Sequence, residues 1–447
     1  MTLQEKVEKF QAMYQDGLSL LQANKDAEAM KVFYEAATFS PEGWLSVAIQ
    51  LVKDGQHDLA LARLREVLSI SKAVKIRAAA MTNIGLLLSQ KGQINEAKEL
   101  FRESMRLWPE MPDSYHNIAL VSKWQGNLKE SLHYSEMALS KIHWHEQAQF
   151  IHAMALLLDG QYLKGFEEYE CRWRTKSFNK DDGFKLQKIY EPQPEWDGTN
   201  GKRLLIYGEQ GHGDTILMLR YAKEIRKLGL WQAWVAQKSI SPLMKTIPEI
   251  DQVVEVGEQL PDFDCHIPSV SLPRIFKTTL ETIPPSPYII KPEPFDYGEG
   301  FHVGICWRGS KIQVSDNIRS TNLADWSPLF DVPGITLHSL QVDFAEEALL
   351  YPQIKTYEKP KDWLETANRV AGLDLVVSVD TSIIHLSGSM GIPCLCAMHR
   401  RPYFVYPFRC GDCTPWYSSV KLFRAEKDFD WKPVFERIAN DIQRLPK

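Results

Sequence analysis

Leu204-Leu205-Ile206-Tyr207-Gly208-Glu209-Gln210-Gly211-His212-Gly213-Asp214-Thr215 runs from four apolar residues into a glycine-rich turn, and a helical pattern follows through Leu217, Leu219, Tyr221, Ala222 and Ile225. A strand that enters a helix through such a turn is the building unit of α/β proteins. The glycines let the backbone approach a ligand, and the first amides of the helix turn partial positive charge towards an anion. Asp214 then has two readings, a cap of the helix or a carboxylate that acts on a substrate. Its place in the first helical turn is expected to lower its pKa.

Downstream of this stretch the same alternation continues. Short apolar runs at Ala233 to Ala236, Val253 to Val256 and Cys265 to Ile267 alternate with helical segments, which predicts a parallel sheet covered by helices. A proline-rich stretch from Ile283 to Pro294 leads to a second series. Its strands are expected at Val303 to Trp307, Thr336 to Gln341 and Leu375 to Val379, with helices at Trp363 to Ala371 and Ser382 to Met390. Apolar residues at Val434, Phe435, Ile438, Ile442 and Leu445 make Trp431 to Leu445 an amphipathic closing helix. Two such units leave a cleft between them.

Upstream, Gly17, Ala29, Phe33, Ala36 and Pro41 line up with Gly85, Ala97, Phe101, Ser104 and Pro109 at a constant offset of 68, two periods of 34. That is the tetratricopeptide period. Small residues let paired helices approach, the Phe fills the gap between them, and the Pro ends the second helix. The resemblance to tetratricopeptide repeats covers about 165 residues, with weaker units around Ala48 and Ala60, Ala119 and Ala138, and Ala153 and Gly165. A stacked helical solenoid offers a concave surface for an extended peptide or a partner protein, or for self-association into a homo-oligomer. Residues 176–200 are rich in Lys, Asp, Pro and Gly and read as a linker. The domains expected are therefore a solenoid over 1–175, the linker, a first α/β unit over 201–295 and a second over 296–447.

The chain has 447 residues and a formal net charge of -5, spread along its length, so nucleic acid and anionic membranes are disfavoured as main partners. No apolar run approaches the roughly 20 residues of a membrane span, and the amino terminus lacks the pattern of a signal peptide. Seven cysteines, an odd number, suit a reducing compartment, and a cytoplasmic protein is expected. Cys410-Gly411-Asp412-Cys413 has the spacing of half a zinc site, but no second pair stands at a zinc-ribbon distance, so no metal is expected.

The chemistry of the second unit centres on Asp380-Thr381-Ser382-Ile383-Ile384-His385, which leaves the carboxyl end of an apolar strand and opens a helix. Open α/β sheets bind ligands there. Thr381 and Ser382 bring hydroxyls, and His385 lies one turn further on; the plainer reading is a capped helix and a core histidine. Trp307-Arg308-Gly309-Ser310-Lys311 follows the first strand of the unit, and Arg319-Ser320 lies in the loop beyond. Basic side chains at a strand's carboxyl end suit a diphosphate, and Arg319 has the forked geometry for one.

These motifs, with Ser339-Leu340-Gln341, Tyr169-Glu170-Cys171-Arg172-Trp173 and Pro415-Trp416-Tyr417, resemble bacterial tetratricopeptide proteins that carry a carboxyl-terminal heptosyltransferase-like glycosyltransferase domain. The resemblance implies the GT-B architecture, two facing Rossmann-like units behind an α-solenoid, and a nucleoside diphosphate sugar as co-substrate without any cofactor or metal. It makes Asp214 the candidate general base and Arg319 the candidate for leaving-group charge. Gly211, Gly213, Trp307, Arg308, Gln341, Asp380, Thr381, Ser382 and His385 become donor-side contacts, with His212 and Lys311 auxiliary. A protein side chain recruited by the repeats is the expected acceptor; a glycan, a lipid-linked or a nucleic-acid acceptor, or a silent scaffold, are the alternatives. Relatives of this type commonly carry a histidine before the Arg-Ser pair, where this chain has Gln313-Val314-Ser315-Asp316. His212 is a candidate to supply the missing imidazole.

Overall fold

Helices succeed one another through the amino-terminal region as the repeat period requires: Leu3–Gln22, Asp26–Ala37, Pro41–Lys53, His57–Ile70, Val74–Gln90, Ile94–Leu107, Pro112–Trp124, Leu128–Lys141, Glu146–Leu158 and Tyr162–Tyr169. The computed structural model describes residues 3–23, 25–37, 41–142, 145–175, 193–199, 201–309, 319–427 and 429–446. Most of the expected linker, together with Lys311 and the Gln313 to Asp316 stretch, lies outside the described residues. The chain divides into two compact units, Met1–His152 and Ala153–Lys447.

In the first unit successive helices pair, and the small residues read from the sequence sit at the pairings. A Cβ added at Gly17 would stand 2.5 Å from the Phe33 ring, and one at Gly85 would stand 2.6 Å from that of Phe101. The hairpin turns carry left-handed glycines at Gly92 (φ 81°) and Gly126 (φ 76°), one period apart, a conformation that other residues rarely adopt. Pro41 does not end a helix but starts one, where its missing N–H costs nothing. Gly85→Ala would gain about 1 kcal/mol of helix propensity. Overpacking against the fully buried Phe101 is expected to outweigh it, for a net loss of roughly 1–2 kcal/mol in the repeats. Circular dichroism melting checks this, and an unchanged or raised midpoint would mean that the ring moves aside freely.

Among the described residues, the second unit contains two sheets. In the first, β1 (Arg203–Tyr207), β2 (Trp231–Ala236), β3 (Gln252–Glu255) and β4 (Cys265–Pro268) are all parallel, in the order β3-β2-β1-β4. The second sheet has seven strands in the order β10-β11-β9-β8-β5-β6-β7. Its members are β5 (Phe301–Cys306), β6 (Ile335–Ser339), β7 (Ile354–Lys355), β8 (Leu375–Val379), β9 (Cys394–Met398), β10 (Cys413–Thr414) and β11 (Tyr417–Arg424). Only β10 runs antiparallel to its neighbour. Strand β8 is buried at every position, as a central parallel strand must be. The closing helix, Lys432–Gln443, lays Val434, Phe435, Ile438 and Ile442 into the core, where Phe435 meets Trp326 at 4.2 Å between ring centroids.

In both sheets the order of the parallel strands reverses once, between β1 and β4 and between β5 and β8. Such reversals open a crevice at the carboxyl ends of the strands. The glycine-rich turn leaves β1, and the Asp380 turn leaves β8, so both stretches lie at reversal points.

Candidate functional site

The turn after β1 enters a helix of only seven residues, His212–Met218. That helix packs on the Ser382–Met390 helix that follows β8. Gly213 permits the approach, because a Cβ there would stand 2.8 Å from His385 Cδ2 and 3.2 Å from Ser382 Oγ. The two reversal points are thereby brought together around Asp214 and Asp380.

Asp214 accepts a hydrogen bond from the Gly211 amide at 3.2 Å, so it does cap its helix. Its ionisation runs opposite to the sequence expectation. Burial, then the neighbouring charge of Glu209, push its carboxyl up to about 7, and Asp380 adds to the rise, against the pull of the Gly211 amide. One amide of a two-turn helix is outweighed by desolvation and two carboxylates. The result is a carboxylate balanced between its forms near neutral pH, as a general base requires.

Glu209 is itself buried in a fixed network. It accepts from Arg172 Nη2 at 3.1 Å, from Ser269 Oγ at 3.2 Å and from the Val270 amide at 3.3 Å. Gln210 is held by two tyrosines: its Oε1 accepts from Tyr403 Oη at 3.1 Å and its Nε2 donates to Tyr169 Oη at 3.4 Å. His212 bonds Ser239 Oγ through Nε2 at 2.9 Å and lies against Trp363. Burial lowers its pKa, which favours a neutral ring.

Across the contact, Asp380 accepts from Tyr406 Oη at 3.1 Å and faces His399 Nε2 at 3.7 Å. Burial alone would raise its pKa, but His399, Arg319 and His385 together hold it below the usual range. Because His399 Nδ1 accepts from the Arg401 amide, its proton sits on Nε2, directed at Asp380. Arg319 Nη1 donates to the Asp380 carbonyl at 3.2 Å, so it stands at the carboxyl end of β8. Thr381 Oγ1 caps the helix by accepting from the Ile383 amide at 3.3 Å and shares a bond with Ser378 Oγ at 2.9 Å. His385 is buried, its pKa is pushed down to about 4 by that burial, and its Nδ1 bonds Tyr417 Oη at 3.0 Å. It offers a neutral imidazole and no cation.

The remaining residues expected on the donor side shape the turn after β5. Gln341 Oε1 accepts from the amides of Trp307 at 3.0 Å and Arg308 at 2.9 Å, and its Nε2 donates back to the Arg308 carbonyl at 3.1 Å. The Trp307 side chain is fully buried in the core, and its indole donates to Glu347 at 2.9 Å. Arg308 is paired with Glu347 at 3.4 Å and stacks on Phe344. These three side chains are occupied in fixing the loop. A cavity of about 410 Å³ opens elsewhere, between Arg220, Lys223, Lys227 and the Pro284 to Lys291 connection, and touches neither Asp214 nor Asp380.

Residues 77–108 match the family model of the tetratricopeptide repeat. One tetratricopeptide repeat is thus present within the helical region. Protein FlbA of Caulobacter vibrioides is 24% identical over 443 residues, 87% of this chain and 72% of that protein. The Photosystem I assembly protein Ycf3 of Rippkaea orientalis is 29% identical over 109 residues, 24% of this chain and 57% of its own length. Among solved structures, MamA from Desulfovibrio magneticus RS-1 matches with a TM-score of 0.31 and 15% identity, over 36% of this chain and 92% of that one. A thermophilic tetratricopeptide protein of Thermus thermophilus matches with a TM-score of 0.33 and 16% identity, over 40% of this chain and 97% of its own.

The last helix counted from the sequence as a tetratricopeptide unit, Tyr162–Tyr169, belongs to the second compact unit. Tyr162 Oη donates to the Phe404 carbonyl and accepts from Trp416 Nε1, and Phe166 meets Phe404 edge to face. Arg172, Tyr403, Tyr406 and His399 are the site residues that reasoning on the sequence does not assign. The only signal for Arg172 is its place in the Tyr169 to Trp173 motif. The other three lie beyond β9, a strand without a motif.

Proposed function

We propose that the second unit is a glycosyltransferase of the GT-B kind, moving a sugar from a nucleoside diphosphate sugar to an acceptor, with a protein side chain recruited by the repeats as the acceptor. The observation that carries this reading is the meeting of Asp214, poised near neutral pH, with the β8 turn of Asp380 and Thr381, to whose Asp380 carbonyl Arg319 donates. In the step, Asp214 accepts the proton of the attacking acceptor group as that group bonds to the anomeric carbon. The bond from that carbon to the diphosphate oxygen breaks, and the departing charge is met by Arg319 and the amides at the start of the Ser382–Met390 helix. The tetratricopeptide repeats support a protein-binding role, self-association included.

A silent scaffold that binds a nucleotide sugar or a partner is the second reading, favoured by the direct contact of Gly213 with Ser382 and His385. Incubation with uridine, guanosine and adenosine diphosphate sugars separates the two. Slow hydrolysis of one of them without acceptor supports the transferase, and binding with no turnover supports the scaffold. Arg319→Ala is expected to weaken calorimetric affinity for the sugar that binds by about tenfold, the worth of one charge-assisted contact. Unchanged affinity would move the diphosphate away from β8.

A further inference from the structure

Among the described residues, Arg172 is the fully buried cation next to the glycine-rich turn whose partners come from three parts of the chain. Its Nη1 donates to Glu170 Oε1 at 2.8 Å, and its Nη2 donates to Glu209 Oε1 at 3.1 Å and Ser271 Oγ at 2.7 Å. Its guanidinium lies 5.1 Å from the Tyr169 ring centroid and 4.8 Å from that of Trp173. Glu170 in turn accepts from Ser271 Oγ at 2.8 Å. Burying an arginine at zero exposure is costly unless its charge is paired, so two carboxylates converge on it. Its charge is retained: desolvation works against the cation, but Glu170 and Glu209 outweigh it.

We propose that Arg172 is a positioning residue of the transfer site: through Glu209 it fixes the glycine-rich turn and balances the negative charge beside Asp214. This rests on the transferase reading. The groups that face Asp214 are Glu209 from its own turn, Asp380 from β8, Tyr169 from the segment before Arg172, and Tyr403 from the loop after β9. Three of them are held directly or through one partner: Glu209 by Arg172, Tyr169 by the Arg172 guanidinium beside its ring, and Tyr403 by Tyr169 at 3.1 Å. The fourth, Asp380, is balanced separately by His399 and Arg319. Arg172 itself is out of reach of any substrate.

The test follows the Asp214 carboxyl by carbon-13 resonance in aspartate-labelled protein, with D214N identifying the signal, and the rate of donor hydrolysis against pH. Glu209→Gln removes one negative neighbour, so the Asp214 midpoint and the acid limb of the rate should both move down by about 0.5–1 pH unit. Arg172→Met leaves Glu209 unbalanced and should move both up, while nucleotide-sugar affinity stays within about threefold. If R172M fails to fold, E209Q alone decides. A folded E209Q protein with an unmoved Asp214 midpoint overturns the proposal. A moved midpoint in a protein that hydrolyses no nucleotide sugar would sink the transferase reading but leave the coupling of Arg172 and Glu209 to Asp214 intact.

Discussion

Asparagine in place of Asp214 should reduce turnover of a nucleotide sugar by about 10²–10⁴-fold, the range for loss of a positioned base, while donor affinity changes by no more than a few-fold. The same variant should be more stable than the parent. In the unfolded chain Asp214 titrates near 3.8, and in the folded protein near 7, so the folded state holds the proton more tightly. Stability therefore falls as pH rises from about 4 to about 7 and is level above. The substituted amide has no proton to lose, and its oxygen still accepts from the Gly211 amide. The gain of D214N should appear above pH 4, grow to pH 7 and then hold at on the order of 4 kcal/mol. Urea unfolding at pH 4, 6 and 8 reads it. Equal stability of parent and variant at all three would mean that the carboxylate is solvated and has an ordinary pKa. If the proposed transfer reaction takes place, its rate in the parent protein should fall below about pH 7, in proportion to the ionised fraction of Asp214.

Loss of Arg220 should have the largest effect on stability. This arginine is 1% exposed. It donates to the carbonyls of Leu217 at 3.0 Å, Pro284 at 3.0 Å and Trp416 at 2.9 Å, and lies within 4.9 Å of the ring centroids of Tyr288, Trp416 and Tyr417. One side chain thus ties the helix after the glycine-rich turn to the proline-rich connection and to the start of β11. Arg220→Met keeps the apolar volume but leaves three buried carbonyls without their donor, at about 1–3 kcal/mol each before relaxation. We expect a loss of roughly 3–5 kcal/mol confined to the second unit. Calorimetry resolves this, since a chain with two compact units need not melt in one step. The transition of the α/β unit should move down while that of the repeats stays; an unmoved α/β transition would show that water replaces the guanidinium at no cost.

What is legible in the sequence is local. The Gly17 and Gly85 alignments reveal the repeat because close helix packing needs a small residue opposite Phe33 and Phe101 at a fixed interval. Strands β1, β5 and β8 stand out as buried runs that end in Gly208, Trp307 and Asp380. Arg172 to Glu209 and Arg220 to Pro284 are pairings across 37 and 64 positions, and no periodicity marks them. The sign of the Asp214 shift escapes the sequence for the same reason: the helix start is visible in the chain, but the convergence of Glu209 and Asp380 is made by folding. The resemblance makes Trp307 a donor-side contact, yet its indole turns inward to Glu347.

The attachment of residues 153–175 to the α/β unit has a consequence for how such chains diversify. The helix that bears Tyr162, Phe166 and Tyr169 travels with the α/β unit, as does the Glu170–Arg174 turn. Glu209, Gln210 and Asp214 lie in the same compact unit as that helix, and the units upstream of Ala153 lie in the other. A crossover point placed after Arg174 would cut through the second unit, whereas one before Ala153 would keep it whole.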